Sequence, residues 1–468
     1  MQSHTKQNKS LLYQPLFWII LFGSLIYLPE GVLASEIRDL KLNSGVTDPR
    51  AIFCLIVFFL SYLLVMTEEQ THLRKSKPVM LGAGIIWLVI GIAAPEYNVD
   101  HEQLKHAILH DLDEYGSLML FLFAAMTYIG SLEACSVFDT LRSLLIRKGL
   151  SYKQLFWVTG IIAFFLSAIA DNLTTALVMG AVIMAVGANS PKFIAISMVN
   201  IVSAANAGGT FSPFGDITTL MVWQAGNVEF FEFFNLFLPS VSTFLVPTLI
   251  MGFFIPADQP TSSDERVVMK RGGKRVICLG VLTITMAVCF EQFLGLPPFM
   301  GMMTGLSLLM FLAYYLRKTR RENEIEYEIF NAIKMVEWDT LLFFFGVMFS
   351  VGGLAFIGYL EIASTIMYGQ WGPTTTNVFL GAASAIVDNI PVMFSVLSMQ
   401  PEMPHFQWLL VTLTCGVGGS MLSVGSAAGV ALMGTAKGKY TFTSHIKWTP
   451  VIALGYAAGI LTHFLVNG

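Results

Sequence analysis

Long apolar runs separated by short polar gaps recur along the chain, and the runs at 51–66, 79–94, 116–132, 276–290 and 299–316 reach or approach the roughly 20 residues that cross a bilayer core. Each predicts a transmembrane helix, and together they predict an all-α polytopic membrane protein. Two further apolar stretches carry a polar interruption at matching places. They are FFLSAIADNLTTALVMGAVIMA (164–185), around Asp171-Asn172, and FLGAASAIVDNIPVMFSVLSM (379–399), around Asp388-Asn389. An ionised carboxylate at the centre of a span costs on the order of 3 kcal/mol. Two of them in equivalent positions therefore point to function rather than packing.

Composition agrees with the pattern: 468 residues that are 55% hydrophobic and 12% charged describe a chain whose solvent is mostly lipid. The net charge of −4 is less informative than where the basic residues fall. Lys6/Lys9, Arg74/Lys75/Lys77, Arg142/Arg147/Lys148/Lys153, Arg266 to Arg275, Arg317 to Arg321 and Lys437/Lys439 all lie in gaps between apolar runs, which makes those gaps cytoplasmic by the positive-inside rule. Intervening gaps such as 95–114 and 225–232 are acidic or neutral and are assigned outside. Tryptophans near run ends, including Trp157, Trp223, Trp338, Trp371, Trp408 and Trp448, suit an interfacial belt. The apolar run ending in GVLAS (31–35) reads as a retained first helix, with a cleaved signal peptide as the alternative.

The two polar interruptions belong to a longer internal match. NAGGTFSPFGD (206–216) aligns with GVGGSMLSVGS (416–426), setting Gly208/Gly209 over Gly418/Gly419 and Asp216 over Ser426. Upstream, 113–132 aligns more weakly with 336–354. The basic gaps orient the two copies oppositely, so the expectation is a pair of inverted repeats, 113–255 and 336–468. The remaining segments, 1–112 and 256–335, then supply an N-terminal helix, scaffold helices and a cytoplasmic loop. Inverted repeats are a recurrent transporter plan because two copies of opposite orientation supply inward-open and outward-open states of similar energy.

Flanks of one polarity on both sides of 152–191 require an even number of crossings, so this segment is expected to be a re-entrant helical hairpin with its tip at Asp171-Asn172. The same reasoning makes 375–404 a hairpin with its tip at Asp388-Asn389. Pro391 falls in the first turn of the returning helix, where its missing N–H is not needed. In each copy a glycine-broken span follows, 193–223 and 407–434. Non-helical backbone at membrane depth survives where protein or a polar cavity satisfies it, so tips and breaks are expected to converge on one cavity. Asp171, Asp388 and Asp216 would bring full charge to it. Neutral oxygens would come from Asn172, Asn389, Thr174, Thr210, Ser212, Ser384, Ser420 and Ser423. Such oxygen-rich sites suit hard alkali or alkaline-earth cations. Crowded, partly desolvated carboxylates also take up protons readily, so that proton and cation compete for one site.

The strings FFLSAIADNLTTALVMGAV, SAANAGGTFSPFGDITTLMVW and AIVDNIPVMFSVLSM, with EYGSLMLFLFAAMTYIGSLEA upstream, resemble the NhaD-type sodium/proton antiporters of the ion transporter superfamily over most of 51–468. The resemblance implies secondary exchange of cytoplasmic Na⁺ or Li⁺ for external H⁺ in the plasma (bacterial inner) membrane. It implies ion-binding roles for Asp171, Asn172, Thr174, Asn206, Asp216, Thr218, Thr219, Ser384, Asp388, Asn389, Ser423 and Ser426, and a supporting role for Glu114. It further implies an elevator-like or rocking movement and a homodimer. No cofactor is expected, and the partners are membrane lipid and small cations, with nothing pointing to nucleic acid.

Other readings of the same residues have distinct signatures. Architectural relatives carry anions such as dicarboxylates or arsenite, but two Asp-Asn tips repel an anion unless sodium neutralises them. An intramembrane aspartyl protease also uses two buried aspartates, but PFGD (213–216) has Pro213 where that chemistry expects glycine. Asp171, Asp388 and Asp216 also suit helix N-caps. The histidines at 101, 106, 110, 405 and 445 read as solvated or interfacial, and His463 as a satisfied packing residue. The five cysteines show no metal spacing and read as buried packing residues. ENEIEYE (322–328) reads as a solvated helix.

Overall fold

The computed structural model describes residues 46–71, 73–187, 189–257, 267–320 and 328–468. The expected N-terminal helix and nearly all of ENEIEYE lie outside the described residues. Among the described residues every regular element is helical. In chain order the principal helices are α1 (Pro49–Met66), α2 (Ser76–Ala93), α3 (His101–Ala134), α4 (Tyr152–Ala170), α5 (Asn172–Val186), α6 (Pro191–Gly209), α7 (Ile217–Gln224), α8 (Phe237–Gly252), α9 (Gly273–Leu294), α10 (Pro298–Lys318), α11 (Trp338–Ile357), α12 (Pro373–Ala383), α13 (Asn389–Met399), α14 (His405–Gly418), α15 (Ala427–Thr435) and α16 (Thr449–Asn467). Among the described residues nine helices are long and apolar enough to cross a membrane: α1 to α4, α8 to α11 and α16. The chain is a multi-pass membrane protein.

Two compact units divide the chain. One comprises the described residues up to Asp111 together with Leu342–Glu361. Here α1 packs on α2, with the Ser61 side chain filling the space that Gly82 leaves. Trp87 Nε1 donates to the Phe349 carbonyl at 2.8 Å. At the start of α1, Asp48 caps the helix through the Arg50 N–H, and the Arg50 guanidinium bridges Asp48 at 2.8 Å and Glu96 at 2.7 Å. Arg50, with help from the Tyr97 hydroxyl, holds the Asp48 carboxyl well below the usual carboxylate range.

The other unit comprises Leu112–Leu341 with Ile362–Gly468. At its centre is α6, buried at almost every position from Phe193 to Gly209 and packed against α4, α5, α8, α14 and α15. It starts at Pro191, whose missing N–H is an orphan donor in any helix. It ends at the glycine pair, where 210–216 runs without α-helix until α7. The second centre is α14, buried from Gln407 to Gly418 and followed by a short 3₁₀ turn at Gly419–Met421 before α15.

Contacts of the same kind recur around both centres. A Cβ at Gly208 would overlap the Phe164 carbonyl of α4, and one at Gly418 would overlap the Gly381 carbonyl of α12. Ser167 donates to the Ala205 carbonyl at 2.6 Å, and Ser384 to the Cys415 carbonyl at 3.2 Å. Gly209 abuts Gly215, as Gly419 abuts Gly425. Packing also runs crosswise, since α5 lies against α15 and α7 against α13.

Several side chains depart from the sequence expectation. Trp223 and Trp408 are buried rather than interfacial, Trp223 within a cluster of Phe121, Phe214 and Phe230 rings. Cys54, Cys135 and Cys415 are buried as expected, whereas Cys278 is exposed. His445 is fully buried instead of solvated, because the segment carrying it folds against the 3₁₀ turn after α14. His463 is satisfied, with Nε2 on the Phe406 carbonyl and Nδ1 on the Asn467 amide.

Candidate functional site

Helix α4 stops at Ala170 because Asp171 adopts φ 58° and ψ 161°, a region of backbone space that side-chain-bearing residues seldom occupy. The turn places the Asp171 carboxylate over the first turn of α5, where Oδ1 accepts from Thr174 N at 2.9 Å and Oδ2 from Thr174 Oγ1 at 2.8 Å. It also aims Asn172 across the unit, with Nδ2 donating to Asn206 Oδ1 on α6 at 3.1 Å and to Asp216 Oδ2 at 2.9 Å.

Asp216 is the hub. Its extended backbone ends the break after α6, and its Oδ1 caps α7 by accepting from Thr218 N at 3.0 Å. From the opposite side Asn389, the first residue of α13, donates Nδ2 to Asp216 Oδ2 at 3.1 Å and more loosely to Oδ1 at 3.4 Å. Asn206 then turns its own Nδ2 to Ser426 Oγ at 3.0 Å, and that oxygen caps α15 through Gly429 N. A continuous chain Asn389–Asp216–Asn172–Asn206–Ser426 thus joins the starts of α5 and α13 to the caps of α7 and α15. Asp216 is 4% exposed, Asn389 3% and Asn206 fully buried.

Asp171 and Asp388 flank this chain and are half-buried. Asp388 caps α13 through Ile390 N at 3.4 Å and is near enough to Asp216 for the two charges to interact. Asp171 interacts electrostatically with Glu337, an exposed acid the sequence reading did not select.

The remaining expected residues divide by task. Thr210 donates to the Ala207 carbonyl and pairs with Ser240 Oγ at 2.6 Å. Ser212 accepts from Phe214 N, and Thr219 Oγ1 donates to the Ser212 and Asp216 carbonyls. Ser384 and Ser420 donate to the carbonyls of Gly381 and Val417. These groups satisfy opened backbone. Ser423 differs, being fully buried with a hydroxyl that has no hydrogen-bond partner among the described residues. Glu114 lies exposed on α3.

Three of these N–H donors, Asn172 Nδ2, Thr218 N and Asn389 Nδ2, converge on one buried carboxylate, that of Asp216. An asparagine amide carries an acceptor oxygen beside its donor nitrogen, so rotation of Asn172 and Asn389 replaces N–H groups with oxygens around Asp216.

A family model described as "Citrate transporter" (CitMHS) matches residues 62–416. The chain is 53% identical over 435 residues to "Na(+)/H(+) antiporter NhaD" of Vibrio cholerae, covering 88% of this chain and 91% of that protein. It is 50% identical over 458 residues to the protein of the same name from Alkalimonas amylolytica, covering 93% and 94%. It is 32% identical over 437 residues to "Sodium/proton antiporter 1" of Arabidopsis thaliana, covering 91% and 74%. The chain belongs to the CitMHS family and, within it, to the NhaD-type Na⁺/H⁺ antiporters.

Proposed function

We propose that this protein is a secondary antiporter, not an enzyme, exchanging cytoplasmic Na⁺ or Li⁺ for external H⁺ by alternating access across the plasma (bacterial inner) membrane, with Asp216 at the centre of its ion site. One observation carries the assignment of the site: the asparagines of two motifs far apart in the chain, Asn172 and Asn389, donate to the same buried carboxylate. Hard alkali ions take oxygen ligands, and Asp216, the two amide oxygens and the free Ser423 hydroxyl supply them. Asp171 and Asp388 add charge at the rim. Two carboxylates near enough to interact, Asp216 and Asp388, do not both stay ionised when the site is empty, so a proton occupies it when sodium does not.

Inverted repeats, 113–255 and 336–468, with re-entrant hairpins α4–α5 and α12–α13 belong to the same proposal. The recurrent contacts at Gly208 and Gly418 and at Ser167 and Ser384 support it. So does the crosswise packing of α5 on α15 and α7 on α13. An elevator-like or rocking movement of the tip helices, and assembly as a homodimer, complete the reading.

The family model's description favours a second reading, a carrier of citrate-like anions. Proton movement in everted vesicles, followed with a pH-sensitive dye on adding Na⁺, Li⁺, K⁺ or citrate, separates the two. Antiport predicts Na⁺- or Li⁺-driven proton efflux that disappears in Asp216→Asn. Silence with every cation, together with citrate uptake, selects the anion carrier.

A further inference from the structure

A histidine the transport chemistry does not use is built into the break after α14. His445 lies on a short helix, Phe442–Ile446, between Lys439 and Lys447, yet it is fully buried. Its Nε2 is 2.9 Å from the Ser420 carbonyl and its Nδ1 is 2.6 Å from the hydroxyl of Tyr440, itself 1% exposed. A carbonyl only accepts, so Nε2 carries the hydrogen, and in the neutral ring Nδ1 then accepts from Tyr440. Ser420 lies in the 3₁₀ turn Gly419–Met421, where carbonyls have lost their helical partners. The next carbonyl, that of Met421, takes a hydrogen bond from Thr449 Oγ1 at 2.7 Å.

In the other break a carbonyl is held locally. There the Ser212 carbonyl is satisfied by Thr219, a residue of the helix that follows directly. The second break depends instead on 440–449, a segment that also packs against α6, the helix carrying Asn206. Ser423 and Ser426 follow the braced carbonyls within a few residues, and Ser426 receives Asn206.

We propose that His445 is a positioning residue: by donating Nε2–H to the Ser420 carbonyl, with Tyr440 fixing its ring, it holds the second break in the shape that presents Ser423 and Ser426 to the Asp216 site. This rests on the transport reading for its effect on sodium, and on backbone geometry alone for the brace.

The test compares His445→Gln, whose amide nitrogen reaches the position of Nε2, with His445→Asn, whose amide stops at the position of Nδ1. In proteoliposomes of the full chain, His445→Asn is expected to raise the Na⁺ concentration for half-maximal exchange about five- to tenfold, the scale of one lost buried hydrogen bond, with maximal rate nearly unchanged. His445→Gln is expected to stay near wild type. Amide hydrogen exchange across 419–426 should accelerate in His445→Asn and not in His445→Gln. Equal behaviour of the two variants, in sodium dependence or in amide exchange, overturns the brace. Should neither variant fold, Tyr440→Phe decides, since it keeps the ring and removes the donor to Nδ1. Faster exchange at 419–426 with a raised sodium requirement then upholds the brace, and wild-type values overturn it. A wild-type protein that moves no protons with sodium, while the amide-exchange contrast holds, sinks the transport reading and leaves the brace standing.

Discussion

Segments 152–224 and 373–435 share close contacts and differ in what closes the break. Gly208 and Gly418 lie against carbonyls of α4 and α12, and Ser167 and Ser384 tie α4 to α6 and α12 to α14. Yet the residue that caps the following helix is Asp216 in one segment and Ser426 in the other. Asp216 gathers the side-chain amides of Asn172 and Asn389, whereas Ser426 receives one side-chain amide, that of Asn206. A shared scaffold thus tolerates unlike chemistry at its focus, since capping asks only for an acceptor oxygen. Placing one charge rather than two there avoids burying two like charges together.

The largest expected effect breaks the chemical half of that comparison. Asp216→Asn should lower sodium-driven exchange by at least about 100-fold, since charge-assisted hydrogen bonds worth about 3 kcal/mol go with the carboxylate. Ser426→Ala should cost only about fivefold, the scale of a lost cap. Equal losses in the vesicle assay would mean that the two capping positions are functionally alike. The scaffold half is tested by Gly208→Ala and Gly418→Ala, each forcing a methyl onto a carbonyl. Both should destabilise by about 3 kcal/mol or more in thermal unfolding, and tolerance of one alone would show that the two approaches are not equivalent. Asn172→Ala and Asn389→Ala should each raise the half-maximal sodium concentration about tenfold, one buried hydrogen bond to a charged group being worth about 1.5 kcal/mol or more. A difference between them would show which tip dominates.

The smallest effects concern the tips and the loop. Asp171 bears an unfavourable backbone while Asp388, at φ −47°, does not. Asp388→Gly should therefore cost about 1 kcal/mol more stability than Asp171→Gly, in which lost capping is offset by released strain. Burial pushes His445 down to about 4 from its ordinary value near 6.5. The unfolded chain thus binds the extra proton first as pH falls. The stability His445 contributes is fully present above about pH 6.5 and is lost as pH drops toward about 4, which a series of melting curves on wild type and His445→Gln would register.

Much of the site was legible in the chain. The matched Asp-Asn strings and the glycine-rich breaks mark the elements, because polar residues and glycine pairs stand out in apolar spans. Their ranking was not legible. Asp171 and Asp388 attract notice first, yet Asp216 is the hub, because convergence of Asn172 and Asn389 depends on packing between segments distant in sequence. Neither was the pairing of Asn206 with Ser426, which joins positions that do not align with each other. His445 misled for a local reason. Its lysine and hydroxyl neighbours resemble a wet loop, and only the opened carbonyls after α14 draw the ring inside.

The crosswise contacts carry a consequence for biosynthesis. When Asn206 and Asp216 leave the ribosome, Ser426 and Asn389 have not been made, and roughly 200 residues must follow before both have emerged. At about 5–20 residues per second that interval is on the order of 10–40 s. Throughout it, Asn206 and Asp216 have Asn172 at hand but lack the partners that the second half supplies. A chain cut short before Asn389 and Ser426 leaves Asp216 without one of its two side-chain amide donors and Asn206 without the acceptor of its own amide.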